Sequence, residues 1–451
     1  MMRSLYSAVS GLKAHQTRMD VIGNNIANVN TVAYKSQSMT FSEVFYQTTQ
    51  TATGPNAERG KGGTNAMQIG LGSSVGSIST AISTEGASER TDNPYDLAIS
   101  GDSFFIVNSA GNTYFTRAGN FKVDESGALV TSGGANVMGW QVDDDGNVVK
   151  DKVSALYVTS SKFTYTEPAK TTAVSATGNI NASSTEDITT TVNFYDSIGN
   201  SYQATLTLSY DPTSAGTDQA KYTVTGTSVS KNGSPTTLQI ECDSQLVFNT
   251  LSGAPVLSAD GTGAGMDNLT FTITDPDGTN NIQSIGTNIS DTQSTLKFDA
   301  TGITRYADKT SIKPYTGIKN SSGIYEGAGK AVGKMTAVGI DNSGCIVASY
   351  SNGDTKTIGQ IAVTSFSNPE GLEKVGENLY QSTLNSGEFD GIGEDVTASD
   401  GKISSGVLEM SNVDLSSEFT TMITTQRGYQ ANSRIITVSD TMLEELINLK
   451  R

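Results

Sequence analysis

The residues that could do chemistry fall into a few groups, and each lacks something its chemistry requires. The run Asp143-Asp144-Asp145, followed by Gly146 and Asn147, offers hard oxygen ligands of the kind that hold calcium. In a calcium loop the glycine comes later and a glutamate closes the ring of ligands; here the glycine is early and that glutamate is missing, so the segment reads as a solvated hairpin. Gly329-Lys330 ends like a phosphate-cradling loop, but Ile324 stands where the first glycine belongs and Ala331 where a Ser or Thr is needed. Gly70-Leu71-Gly72-Ser73-Ser74-Val75 lacks the third glycine of a dinucleotide fingerprint.

A serine or cysteine nucleophile needs a base, and the single histidine, His15, lies beside the apolar stripe of an opening helix, where it reads as a helix-surface residue. Cys242 and Cys345 are far apart in the chain and read as isolated thiols. With 46 acidic residues, no particular carboxylate pair stands out as an acid and base. The acceptor patterns at Asn181, Asn232, Asn268 and Asn288 are what a Ser/Thr/Asn-rich chain produces by chance. The sequence therefore predicts no catalytic residue, no metal and no cofactor. A net charge of −17 argues against nucleic acid or an anionic membrane surface as partner. No run is long enough to insert in a bilayer, and Met1 to Lys13 has no secretory apolar core.

What remains is apolar spacing at the two ends. Leu415, Met422, Tyr429, Ile436 and Leu443 recur at a seven-residue interval, with Phe419 and Ile447 four residues after the first and last. That is the seam of a helix packed on another helix. Ile423, Ile435, Met442, Leu446 and Leu449 widen the stripe beyond what one partner helix covers. At the other end Leu5, Val9, Leu12, Met19, Ile22 and Ile26 space out at threes, fours and sevens. The two helices are natural partners for each other and for further copies.

Between them, 47 glycines and a Thr/Ser/Asn-rich composition predict short strands and tight turns. The expected fold class is mixed, mainly β: two β-rich domains in series, the second inserted in the first, plus a long N-terminal and a long C-terminal helix forming a coiled-coil-like terminal domain. The expected boundaries are 1–35 and 405–451 for the terminal helical assembly domain and 36–90 for an extended connector without strand period. An inner β domain follows from 91–150 and 295–404, and an outer β-sandwich or barrel from 151–294. Trp140 is expected in the inner core.

The stretch Gly23-Asn24-Asn25-Ile26-Ala27-Asn28-Val29-Asn30-Thr31-Val32-Ala33-Tyr34-Lys35 closely resembles the N-terminal signature of bacterial flagellar rod and hook proteins. Asparagine tolerates left-handed backbone and bonds neighbouring amides, so Asn24, Asn25, Asn28 and Asn30, with Thr31, Tyr34 and Lys35, can end a helix and turn the chain. The family has glycine where this chain has Ala33, and the backbone there is expected not to reach positive φ. Thr91 to Gly101, Phe104 to Val107, Tyr114 to Gly119, Gly359 to Ala362, Asn368 to Leu372 and Asn378 to Tyr380 resemble the family's β domain, and Gln426 to Asn432 its C-terminal signature.

The resemblance implies a self-assembling subunit of the flagellar hook, a curved tube outside the cell that carries torque from rod to filament. Its implied partners are copies of itself, the rod, hook cap and hook–filament junction proteins, and the flagellar export apparatus, with no cleaved signal peptide. Cys242 corresponds in some hook proteins to a cysteine that crosslinks subunits, but no local motif supports that role here. The alternatives are a distal rod protein, favoured by the rod-like start Met2-Arg3-Ser4-Leu5-Tyr6, and, from a different class, a secreted adhesin or glycan-binding module carrying Tyr202, Tyr210 and Tyr222.

Overall fold

A computed structural model describes residues 2–55, 60, 62–143, 146–214, 218–257, 266–267, 269–278, 282–290, 292–399 and 401–449. Asp144, Asp145 and Asn268, named above, lie outside the described residues. The chain divides into two compact units, 1–160 with 337–348 and 355–451, and 161–336 with 349–354.

In the first unit the helix α1, Met2–Ala27, packs along the helix α2, Leu415–Asn448. Asp414 caps α2: its carboxylate accepts from the Ser416 amide at 2.9 Å and faces the Ser417 amide at 3.5 Å. By its contacts the helix pair falls in the same compact unit as the inner β strands. An antiparallel sheet runs in the order Thr355–Ile361, Asn136–Gln141, Phe104–Ser109, Asn112–Thr116, Leu379–Gln381, Glu373–Gly376. Strands of the earlier segment are thus flanked on both sides by strands of the later one in a single sheet; Trp140 stands opposite Gln360 and Phe115 opposite Tyr380. The alternating apolar residues of these strands meet in a core of Phe104, Phe115, Trp140, Phe366 and Tyr380, with Phe366 set edge-on to both Phe104 and Phe115. Trp140 is 2% exposed, and its indole N–H donates to the carbonyls of Asp151 and Ile392, both at 3.0 Å.

The connector departs from expectation. It is extended but pairs with itself: Gln37–Glu43 runs antiparallel to Ser73–Thr80, and Tyr46–Gln50 to Met67–Gly70. The ladder hydrogen bonds of this hairpin arm are made within it, and Gln37–Glu43 alternates, with Ser38, Thr40 and Ser42 on one face and Met39 and Phe41 on the other. Phe45, Tyr46, Met67 and Ile78 stand exposed along it.

The second unit is an 11-stranded sheet, most of it in the order Ile188–Tyr195, Ser201–Tyr210, Gln219–Lys231, Gln239–Cys242, Leu269–Thr274, Gln293–Thr304, Ala173–Asn179, Ser311–Thr316. The first and last of these strands lie against each other, so the sheet curls around its core of Phe194, Tyr202, Tyr222, Phe248, Phe271 and Phe298. This corrects the outer boundary at 294. Gln293–Thr304 pairs in parallel with Ala173–Asn179 and Ser311–Thr316 pairs antiparallel to it, so both belong here and not to the inner domain. The signal was present in the alternation of Leu296, Phe298 and Ala300, all buried. Tyr202 and Tyr222, candidates for an aromatic platform, are buried in this core; only Tyr210 is partly open.

Candidate assembly interface and its buried junction

α1 and α2 are antiparallel, because Gly11 meets Asn432, His15 meets Gly428 and Asn25 bonds Glu418 in reversed order. Their close contact is made by small residues. Ala8, Gly11, Ala14, Ile22 and Asn25 are buried on α1, and Thr425 and Ser439 on α2. A Cβ on Gly11 would sit 2.7 Å from the Asn432 amide nitrogen, and one on Gly428 would sit 2.7 Å from His15 Cε1. Each glycine is a notch that receives a side chain four residues along the partner helix, which lets the axes approach. His15 is thus half-buried between helices, not on the surface as expected.

The apolar seam read from the sequence is only partly covered within the chain. Leu415, Phe419 and Ile447 are exposed, and Met422, Tyr429, Ile436 and Leu443 are half-buried. On α1, Ile22 is buried while Leu5, Val9, Leu12, Met19 and Ile26 are half-buried. Ile423, Ile435, Met442, Leu446 and Leu449 are exposed as well. Ile22 apart, the most deeply buried positions of the pair are small or polar, Ala8, Gly11, Ala14, Asn25, Thr425 and Ser439, and their helical spacing carries no hydrophobic signal.

The signature turn is a bonded junction. Asn25 is fully buried: its Oδ1 accepts from the Gln37 amide at 2.9 Å and from the Tyr34 hydroxyl at 3.2 Å, and its Nδ2 donates to the Gln37 carbonyl and to Glu418 Oε1. Asn24 Nδ2 donates to the Tyr34 hydroxyl, Asn28 Nδ2 to the Asn24 carbonyl and Thr31 Oγ1 to Asn28 Oδ1, while Asn30 is exposed. Asn378, in a tight turn at φ +60°, donates to the Val32 carbonyl at 2.7 Å. Lys374 stands 4.8 Å above the Tyr34 ring and donates to the Lys35 carbonyl. Ala33 lies at φ +54°, against expectation. Its amide donates to the Glu409 carbonyl at 2.8 Å, and this bond holds a non-glycine residue in left-handed backbone.

Behind the turn three charges are sealed from water. Lys35, Arg117 and Glu409 are 0%, 1% and 4% exposed. Lys35 Nζ donates to Glu409 Oε1 and to the Thr84 carbonyl, both at 2.6 Å. Glu409 Oε1 also accepts from the Gly86 amide at 3.0 Å, and its Oε2 is 3.7 Å from Arg117 Nη1. Arg117 donates to the Gly101 carbonyl and stacks over Phe104. Burial pulls the Lys35 ammonium below its ordinary range, and the Glu409 carboxylate opposes that shift. Burial likewise pushes the nearby Tyr380 phenol up. The cluster ties the exit of α1 and the entry of α2 to the β core. It is a structural joint with no nucleophile or acceptor facing a cleft, and no metal-ligating cluster occurs among the described residues. Sequence reading marked Lys35 but missed Glu409 and Arg117, since nothing local distinguishes one acid or one arginine from the rest.

Three family models match: "Flagella basal body rod protein" over residues 5–35, "Flagellar hook protein FlgE/F/G D1 domain" over 98–182, and "Flagellar basal body rod FlgEFG protein C-terminal" over 404–449. The first and last cover the helices and the junction just described. The chain is 39% identical to the flagellar hook protein FlgE of Borreliella burgdorferi and 34% identical to that of Treponema pallidum, in both cases over 100% of each chain. It is 30% identical to the flagellar basal-body rod protein FlgG of Bacillus subtilis, again over 100% of both. With these full-length relatives, the chain belongs to the family of bacterial flagellar hook and rod proteins, structural subunits of the flagellum.

Proposed function

We propose that this chain is the repeating subunit of the hook, polymerising into a curved helical tube that transmits torque from rod to filament. The observation that carries this reading is the outward apolar face of the helix pair. Phe419 is 49% exposed, Ile423 58% and Ile447 68%, even though α1 and α2 already bury a seam against each other. Large apolar side chains left exposed along a helix pair mark a protein contact, and contact between different faces of identical subunits builds an open helix. The assembly residues are those named from the sequence on both helices, on α1 Leu5, Val9, Leu12, Met19 and Ile26, with Ile22 already buried within the chain, and on α2 Leu415, Phe419, Met422, Tyr429, Ile436, Leu443 and Ile447. The hairpin arm, with Phe45 and Tyr46 exposed, supplies a second contact, and the outer unit makes polar contacts that slide as the tube bends. The chain leaves the cell through the flagellar export apparatus and meets rod, cap and junction proteins.

Similarity to a rod protein over the full chain supports a second reading, the distal rod. Electron microscopy of basal bodies from cells lacking this coding sequence separates the two. Complete rods that end bare support the hook; shortened rods support the distal rod; normal flagella refute both.

A further inference from the structure

His15 is the only histidine in the chain, and so the only side chain whose ordinary titration falls near neutrality. It sits where three elements meet: α1, α2 and the base of the hairpin arm, both of whose long strands pack against α1. The Cε1–Nε2 edge of its ring fills the notch at Gly428. The Phe41 ring lies 5.2 Å away on the other side, with the Arg18 guanidinium 5.4 Å from that same ring. Nδ1 is closed off from solvent and has no hydrogen-bond partner.

Nothing around the ring welcomes a positive charge. The charged residue one turn away on α1 is Arg18, of the wrong sign. The strand Ser73–Thr80 has no titratable residue, and Gln37–Glu43 has only Glu43, which is exposed and engaged with Tyr46. On the contact face of α2, Thr425, Gly428 and Asn432 are uncharged, and Arg427 beside them is exposed. The Phe41 face that could take an imidazolium is already taken by Arg18.

We propose that His15 is a proton-operated release for this three-element junction: neutral, it pins α1 to α2 and the arm; protonated, it leaves the notch and the junction opens. Burial, and after it Arg18, hold its pKa below the ordinary 6.5. The sign follows. The unfolded chain takes up the proton as pH falls through about 6.5 and the closed junction does not, so stability present above that pH is lost on acidification.

The test uses the full chain with no histidine tag. Because the chain has one histidine, its Cε1–H resonance is unambiguous in NMR; the expected midpoint lies below 6.5, with loss of helical circular dichroism as pH is lowered from about 8 to about 5. His15→Gln, uncharged throughout, is expected to keep its helical signal flat across the same window. An ordinary midpoint, whatever the state of the helices, or identical acid profiles for the two chains, would overturn the proposal. The readout concerns one chain and needs no tube. A chain that assembles normally while His15 titrates ordinarily sinks this inference alone, and a depressed midpoint in a chain that builds no hook sinks the functional reading alone.

Discussion

Replacing Glu409 by Gln removes the carboxylate that pairs with two buried cations. The carboxylate holds Lys35 at 2.6 Å and stands 3.7 Å from Arg117, both essentially without solvent contact. Breaking a buried pair by neutralising one partner costs about 3–5 kcal/mol, because the remaining charge can neither be hydrated nor neutralised cheaply. With a denaturant slope of roughly 2–3 kcal/mol per molar urea, the unfolding midpoint of the inner unit should fall by about 1–2 M. The assay is built in: Trp140 is the only tryptophan and lies in the core of that unit, so its fluorescence follows this transition and not that of the outer unit. Lys35→Met added to Glu409→Gln should recover part of the loss, giving a coupling of about 1 kcal/mol or more in a double-mutant cycle. A midpoint shift below about 0.3 M, the size expected of an exposed pair, would show that the cluster is hydrated and that the joint is not what holds the helices to the sheet.

Other perturbations have distinct signs. Ala33→Gly removes the side chain from a left-handed position and should stabilise the inner unit by up to about 1 kcal/mol in the same urea assay, the strain relieved outweighing the added freedom of the unfolded chain. Asp414→Ala leaves the first amides of α2 uncapped and should cost about 1 kcal/mol, visible as loss of helical circular dichroism on warming. Burial alone would raise the Asp395 pKa, but the Lys150 ammonium at 2.9 Å, with the Thr397 amide and hydroxyl and the Gln360 amide, brings it down to about 2. The carboxylate therefore contributes stability above its unfolded value near 3.8 that fades as pH falls toward 2. Because Lys150 is half exposed and water screens the pair, Asp395→Asn should lose about 1 kcal/mol at neutral pH and flatten the acid limb of the unfolding curve.

Strong local signals were legible in the sequence: apolar spacing marked both helices, asparagine clustering marked the turn, turn residues marked the short strands around Trp140, and period-two alternation marked the strand at Tyr202. What was not legible depends on partners far along the chain. The arm's strand Gln37–Glu43 alternates Met39 and Phe41 with Ser38, Thr40 and Ser42, but the polar, glycine-rich stretch around it masks that short signal, and only pairing with Ser73–Thr80 shows it to be a strand. The strand Gln293–Thr304 alternates plainly, but only its pairing with Ala173–Asn179 assigns it to the outer unit. Ala33 reaches positive φ because Glu409, 376 positions later, accepts its amide proton. The notches at Gly11 and Gly428 are visible as glycines, but only the antiparallel register shows that Asn432 and His15 fill them.

The central claim is that the outward apolar face of the helix pair builds the polymer. It is tested most directly by expressing Phe419→Asp with Ile447→Asp in cells that lack the wild-type copy, and imaging their basal bodies. Both residues are exposed in the single chain, so the substitutions should leave the Trp140 unfolding transition unchanged. The account predicts complete rods that carry no hook. Hooks of normal length and curvature from this variant would contradict it.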